Sequence, residues 1–99
     1  MVAWEPIQET ITYIENNLAC DLNVEILAHR VYLSPYYFQR LFNRLVNKNI
    51  AEYIKLRRLA KAAKLLKESD LSILAIAIKC GFQSHSHFTK VFKNVYTIT

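Results

Sequence analysis

The strongest constraint on this chain is an apolar pattern that occurs twice, fifty residues apart. The first copy consists of Phe38, Leu41, Phe42 and Leu45, and the second of Phe88, Val91, Phe92 and Val95. The spacing i, i+3, i+4, i+7 places four side chains on one face of an α-helix, so each set is predicted to pack inward. The pattern therefore predicts two similar amphipathic helices in one chain.

A short apolar segment and a tight turn precede each of these helices. The segments are 26–31 and 74–80, and the turns that follow them are 32–34 and 81–83. A short helix, a turn of three or four residues and a second helix with a polar outer face form a helix-turn-helix. Two such units in one small chain indicate binding to DNA.

The composition favours a single all-helical domain. The chain has 99 residues, 53% of them hydrophobic, with one glycine and two prolines. Few glycines and prolines disfavour a β-fold with many turns, and the apolar fraction favours a folded globule. The longest apolar run, 73–78, is too short to span a membrane, and no signal peptide is visible. We therefore expect a cytoplasmic protein without a membrane partner.

The charges divide the chain into an acidic and a basic part. Residues 1–29 contain five acidic residues and no Lys or Arg, whereas residues 30–99 contain all thirteen Lys and Arg and three acidic residues. The net charge is therefore −5 in the first part and +10 in the second. Because the change falls where the first helix-turn-helix begins, it favours a surface that faces a polyanion.

Capping residues divide the chain into six predicted helices without strands. The first runs from about Pro6 to about Leu18, with Trp4 as an anchor and Ile7, Ile11, Ile14 and Leu18 buried. Asn23, Ser34, Asn49 and Ser72 suit the N-caps of the next four, and Gln83 or Ser84 suits that of the sixth. Pro35 would occupy the first position of the third helix, which should end near Asn47.

The fourth helix, from the capping pair Asn49 and Glu52 to about Ser69, is predicted to hold the two recognition helices apart. Its expected apolar side contains Tyr53, Leu56, Leu59, Ala60, Ala63 and Leu66, with Arg57, Lys61 and Lys64 on another face. About eighteen residues span roughly 27 Å, and one turn of B-DNA is roughly 34 Å. Both recognition helices of a monomer could therefore enter successive major-groove segments on one side of a duplex.

The predicted organisation is one domain, 1–99, in which the two units share a core. The first helix-turn-helix covers about 23–47, the connecting helix about 50–69 and the second helix-turn-helix about 72–96. The recognition helices are 35–47 and 84–95. Their outer faces are predicted to read two adjacent major-groove segments.

The chain resembles the DNA-binding domain of the AraC/XylS family of bacterial transcription regulators. The resemblance covers about residues 7–98 and includes Leu27-Ala28, Leu33-Ser34-Pro35, Phe38-Gln39-Arg40-Leu41-Phe42, Glu52-Tyr53-Ile54, Arg58-Leu59, Ala62, Leu65-Leu66, Ile76-Ala77, Gly81-Phe82, Ser86, Phe88 and Phe92-Lys93. It implies sequence-specific binding to double-stranded promoter DNA through two helix-turn-helix units. It also implies activation of transcription by contact with RNA polymerase.

The chain departs from the family pattern at several positions. Tyr32, Asn47 and Thr97 stand where the family often has glycine, and the chain ends before the proline and short final helix that usually follow. We therefore expect a fragment of a longer regulator. Because the domain starts at Met1, it resembles the subgroup with an N-terminal DNA-binding domain. A small-molecule effector would then act only through a domain outside this chain.

Polar side chains on the outer faces of the recognition helices are the candidate DNA contacts. Arg40 can form two hydrogen bonds with guanine, and Gln39 can form two hydrogen bonds with adenine. The predicted base contacts are Tyr36, Gln39, Arg40, Asn43, His85, Ser86, Thr89 and Lys90. The predicted phosphate contacts are Ser34, Arg44, Ser84 and Lys93. Hydroxyl groups and free N–H groups at helix starts suit phosphate, as does an ammonium group.

The sequence gives weaker support to three other interpretations. Cys80, His85 and His87 suggest a metal site, but tetrahedral zinc needs four ligands and Cys80 is predicted to be buried. A DNA-repair enzyme of the alkyl-transfer class would need a nucleophilic cysteine in an electropositive site. A module for protein contact alone would have apolar or acidic outer faces. We therefore expect neither a cofactor nor enzymatic activity.

Overall fold

The computed structural model describes residues 4–96, and this part of the chain forms six α-helices and no strand. The helices are α1 (Glu5–Asn16), α2 (Val24–Arg30), α3 (Pro35–Val46), α4 (Ile50–Glu68), α5 (Ile73–Lys79) and α6 (His85–Val95). The predicted all-helical class and the number of helices are confirmed. Thr97 lies outside the described residues.

Five of the six helices begin at a side chain that accepts a backbone N–H. Asn23, Ser34, Asn49, Ser72 and Ser84 each accept the N–H of the residue three positions later, at 2.8–3.2 Å. These are the predicted N-caps, with Ser84 rather than Gln83 at the start of α6. Such caps explain why the helix starts could be located from the sequence alone.

The first helix begins about where predicted, but its anchor and its end differ from the prediction. Trp4 precedes it without a capping hydrogen bond and is 52% exposed, so the expected anchor is wrong. The helix ends at Asn16 rather than near Leu18, because Asn17 leaves helical geometry and its Nδ2 donates to the Tyr13 carbonyl at 2.8 Å. Leu18 is nevertheless buried, as predicted.

The turns of the two helix-turn-helix units have the same hydrogen bonds. In the first, the N–H groups of Tyr32 and Leu33 donate to the carbonyls of His29 and Ala28; in the second, those of Gly81 and Phe82 donate to the carbonyls of Ile78 and Ala77. This pair of bonds is the Schellman motif, whose turning residue is left-handed. Tyr32 has φ 59° and Gly81 φ 90°, so Tyr32 adopts the conformation that glycine usually supplies.

The two units have separate cores, contrary to the prediction of a shared one. The buried residues of the first core are Ile7, Ile14, Leu18, Leu27, Ala28, Val31, Phe38, Phe42, Ile50 and Ile54. Those of the second are Leu59, Ala62, Ile76, Ala77, Cys80, Phe82 and Phe88. The molecule is accordingly elongated, with extents of 44 × 26 × 21 Å.

The connecting helix α4 changes core along its length, which corrects its predicted apolar face. Ile50 and Ile54 belong to the first core, and Leu59 and Ala62 to the second. Of the predicted face only Leu59 is fully buried, and Leu66 is exposed. A helix that packs against two cores in different directions has no single apolar stripe along its length. The predicted apolar face of α4 is therefore wrong.

The inward faces of α3 and α6 are confirmed except in their last turns. Phe38, Phe42 and Phe88 are buried, whereas Leu41, Val91 and Phe92 pack against the cores and are partly buried. Leu45 is 46% exposed and Val95 36% exposed. These two side chains follow the helical pattern but lie beyond the core that the earlier residues reach.

Candidate nucleic-acid interface

The outer face of α3 presents the polar side chains that the sequence assigned to base contacts. Tyr36, Gln39, Arg40 and Asn43 are all exposed. Arg40 Nη1 donates to the Tyr36 hydroxyl at 2.9 Å, and its Cζ lies 5.6 Å from the Tyr36 ring centroid. Guanidinium carries five N–H donors, so most remain for a ligand. Tyr36 thus orients Arg40 along this outer face.

The outer face of α6 is more basic and has shorter side chains. His85, Ser86, Lys90 and Lys93 are exposed, whereas Thr89 is half-buried. His87, in the first turn, is also exposed, and its ring lies 5.9 Å from that of Phe82. Point charges and hydroxyl groups suit phosphate contacts better than bidentate recognition of a base.

The two serine caps stand at the starts of these helices. The Oγ atoms of Ser34 and Ser84 accept the N–H groups of Tyr37 and His87 at 3.2 and 3.0 Å. Each hydroxyl group keeps its own hydrogen for a second partner, and the serines are exposed. Arg44, the fourth predicted phosphate contact, is exposed in the last turn of α3.

A groove made of three adjoining pockets runs from the outer face of α3 past the start of α4 to the flank of α6. It begins between Tyr36, Gln39 and Asn43 and passes Asn49 and Ile50. Gln39 also borders the next part, together with Asn23, Ala51 and Ile54. The last part runs past Ala51, Ile54 and Lys55 to His87 and Val91. Neighbouring parts share lining residues, and the groove meets α6 at His87 and Val91, which lie outside the predicted base contacts of that helix.

Residues that the sequence did not assign to the interface line the middle of this groove. They are Asn23, Asn49, Ala51 and Lys55. The sequence identifies Asn23 and Asn49 only as helix caps, because their position beside α3 depends on how the helices pack. The signal that could have found them is the position of two helix N-termini next to the recognition helix.

The basic residues of α4 serve partly within the protein. Arg57 forms a bidentate pair with Glu15 of α1, with Nη2 to Oε1 at 2.6 Å and Nε to Oε2 at 3.0 Å. This hydrogen bond is the main cause of the raised pKa of Arg57. Lys55 pairs with Glu52 at 2.8 Å. Arg57 is therefore used to hold α1 on α4.

The geometry offers little to the metal and alkyl-transfer alternatives. Among residues 4–96, no group of three or more His, Cys, Asp or Glu side chains is placed to hold a metal ion. Cys80 is fully buried, and burial raises the pKa of its thiol, which disfavours the reactive thiolate. Within the same range, no helix has the length and apolar character that crossing a membrane requires.

Comparison with known proteins identifies the class of the domain. A family described as "Helix-turn-helix domain" matches residues 27–99. The regulatory protein PocR of Salmonella typhimurium is 39% identical over 93 residues, which are 94% of this chain and 31% of PocR. The multiple antibiotic resistance protein MarA of Escherichia coli K12 is 33% identical over 92 residues, 93% of this chain and 72% of MarA. The chain thus spans about a third of PocR.

Solved structures agree with this assignment. The DNA-binding domain of the global transcriptional factor AdpA, in complex with a target DNA, is 29% identical with a TM-score of 0.89, over 95% of this chain and 85% of that one. A transcriptional regulator with an AraC-type DNA-binding domain from Chromobacterium violaceum is 30% identical, with a TM-score of 0.86. The match covers 95% of this chain and 84% of that one.

The fold and the two turns define a double helix-turn-helix domain. The chain belongs to the AraC-type family of DNA-binding domains, which are found in bacterial transcription regulators.

Proposed function

We propose that this chain binds a specific double-stranded DNA sequence by placing α3 and α6 in two successive major-groove segments, and thereby regulates transcription. The observation that carries this proposal is the match of 95% of the chain to a DNA-binding domain solved with its target DNA, together with the exposed polar residues on both α3 and α6. The connecting helix has 19 residues, a length of about 28 Å, comparable with one turn of the double helix.

The two recognition helices, α3 and α6, make different kinds of contact with DNA. Arg40, oriented by Tyr36, and Gln39 make bidentate contacts with base edges, while Tyr36 and Asn43 contact neighbouring bases. In α6, Ser86 and Lys90 reach base edges, with His85 and Thr89 beside them. Ser34, Arg44, Ser84 and Lys93 hold the flanking phosphates.

The test is selection of duplexes from a randomised pool, followed by footprinting of the selected site. We expect two protected segments about one helical turn apart, on the same side of the duplex. Scrambling either segment should weaken binding, because each recognition helix reads its own segment. A single protected segment, or no enrichment of any sequence, would contradict the proposal.

We further propose that the bound domain activates transcription through contact with RNA polymerase, in the bacterial cytoplasm. Support comes from the similarity to bacterial regulatory proteins, among them PocR and MarA. In vitro transcription from a promoter that carries the selected site should increase when the complete protein is added. An unchanged or lower transcript level would exclude activation at that promoter.

A further inference from the structure

A polar junction around Arg58 of α4 joins the segment after α1 to the second helix-turn-helix unit. Arg58 Nε donates to the carbonyl of Leu18 at 2.9 Å, and Nη2 donates to the carbonyl of Cys20 at 2.8 Å. Leu18 belongs to the first core, and its segment follows the end of α1. A single guanidinium group therefore ties the segment after α1 to the middle of the connecting helix.

The turn of the second unit packs against the same atoms. A Cβ atom added to Gly81 would collide with the Leu18 carbonyl oxygen and would lie 2.7 Å from Arg58 Nε. Gly81 stands between Cys80 and Phe82, which are both buried in the second core. The Leu18 carbonyl, the Arg58 guanidinium group and the Gly81 turn thus form one three-way contact between the units.

This junction matters because the cores on either side are separate. In the first unit, α3 packs against α1, α2 and α4. In the second unit, α5 packs against α4 and α6. The direction of the second unit relative to the first therefore depends on α4 and on the contacts that hold α4 to the segment after α1 and to the Gly81 turn. Arg58 is partly buried, and this burial lowers the pKa of its guanidinium group.

We propose that Arg58 is a positioning residue that sets the direction of α6 relative to α3, and with it the spacing between the two DNA segments that the chain binds. This inference rests on the proposed function. Two linked binding modules gain affinity only when their geometry matches the span between their sites. A loosened junction lowers that gain and widens the range of spacings accepted, while each helix still reads its own segment.

Two substitutions of Arg58 distinguish the effect of its hydrogen bonds to two carbonyls from the effect of its positive charge. Arg58→Met removes the donors and keeps an apolar stem. Arg58→Lys keeps the charge, but a compact ammonium group does not reproduce the planar fork that serves two carbonyls. Lys64→Met is the matched control, because Lys64 is exposed on the same helix and the substitution removes the same charge. Circular dichroism and thermal unfolding establish which variants are folded, and the lysine variant remains as a test if the methionine variant is not.

The probe is the duplex that the parent protein selects from a randomised pool, used with one base pair added or removed between its segments and with either segment scrambled. For both Arg58 variants we expect roughly tenfold or greater loss of affinity on the original duplex. Their affinity for duplexes with one scrambled segment should stay within about twofold of the parent. They should also lose less than the parent when one base pair is added or removed. Lys64→Met should keep the parental spacing preference.

The outcomes distinguish this inference from the function on which it rests. Equal loss on every duplex, or a parental spacing preference in both Arg58 variants, would overturn the role of Arg58 and leave two-segment binding intact. A parent protein that tolerates scrambling of either segment would overturn the proposed function, and the inference with it. That result is obtained with the parent alone, before any variant is measured.

Discussion

At the scale of single residues, Tyr32 and Gly81 occupy equivalent positions in the two turns, but with different consequences. Both are left-handed and both close a Schellman motif. The Tyr32 side chain is 93% exposed, so its Cβ atom meets solvent, whereas Gly81 faces the Leu18 carbonyl and Arg58. The first turn therefore tolerates a side chain at the cost of backbone strain, and the second has no room for one.

Tyr32→Gly should stabilise the protein by up to about 1 kcal/mol. A left-handed L-residue costs roughly 1–2 kcal/mol, part of which is offset because glycine gives the unfolded chain more freedom. The free energy of unfolding from urea titration measures the effect. Tyr32→Ala, which keeps the Cβ atom and removes the ring, is the control and should show no such gain. If the glycine variant is less stable than the alanine variant, strain is not the dominant effect.

Gly81→Ala should have the opposite sign, with a loss of more than about 2 kcal/mol. Both the left-handed φ and the contact with Leu18 and Arg58 oppose a methyl group at this position. The same urea titration tests this expectation. A loss as small as a few tenths of a kcal/mol would mean that the Gly81 turn and the Leu18 segment can move apart easily.

Arg40→Ala should relax the base preference at one or two positions of the selected site. Arg40 can form two hydrogen bonds with one guanine, worth roughly 1–3 kcal/mol of discrimination. The measurement is an affinity matrix in which each base pair of the site is varied. Tyr36→Phe, which removes the hydroxyl group that accepts from Arg40, should change the same positions less strongly. Equal loss for all sequences with Arg40→Ala would contradict direct readout by α3.

At the scale of helices, the two recognition helices have the same apolar pattern but unequal burial. Phe42 is fully buried, and its ring lies 6.2 Å from that of Phe38 and 5.6 Å from that of Tyr53. Phe92, at the matching position of α6, is half-buried, with ring distances of 5.5 Å to Phe88 and 4.7 Å to Tyr96. The matching sequence positions of Phe42 and Phe92 are therefore buried to different extents in the fold.

Phe42→Ala should cost roughly 3–5 kcal/mol of unfolding free energy, because it leaves a cavity in the first core. Phe92→Ala should cost clearly less, since part of its ring is already in contact with water. Thermal and urea unfolding of the two variants compare these positions directly. Losses of the same size would contradict the unequal burial of the two rings, and a Phe42→Ala protein that melts like the parent would contradict the inward assignment of α3.

At the scale of the whole molecule, the charge distribution favours a polyanionic partner. All thirteen Lys and Arg follow residue 29, and the five acidic residues before it include Glu15, which pairs with Arg57. This pair attaches α1 to α4 and removes one cation from those available to DNA. The remaining basic residues are distributed over both units and the connecting helix.

Binding to the selected duplex should weaken steeply as salt increases. Each neutralised phosphate adds about −0.9 to the slope of log K against log salt concentration, so Arg44 and Lys93 together contribute about −1.8 and each further Lys or Arg contact steepens the slope. Lys93→Ala should weaken binding to all sequences and flatten the slope by about one contact. Titrations at several salt concentrations measure both quantities. A slope near zero for the parent would exclude a complex docked in the grooves.

The sequence by itself determined the local features of this protein. The helix caps at Asn23, Ser34, Asn49, Ser72 and Ser84 and the inward face of Phe38 and Phe42 depend on residues within a few positions of one another. Hydrogen bonds over three residues and the period of 3.6 can be recognised without knowledge of the fold. The candidate residues on the outer faces of α3 and α6 follow from the same periodicity.

The tertiary structure alone decided how the two units are joined. The separate cores, the change of face along α4 and the contacts of Arg58 with Leu18 and Cys20 involve residues about forty positions apart. No local pattern distinguishes Arg57, which pairs with Glu15, from Arg58, which enters the junction. Adjacent residues of one helix point in directions about 100° apart, and only the packing of the other elements determines what each of them meets.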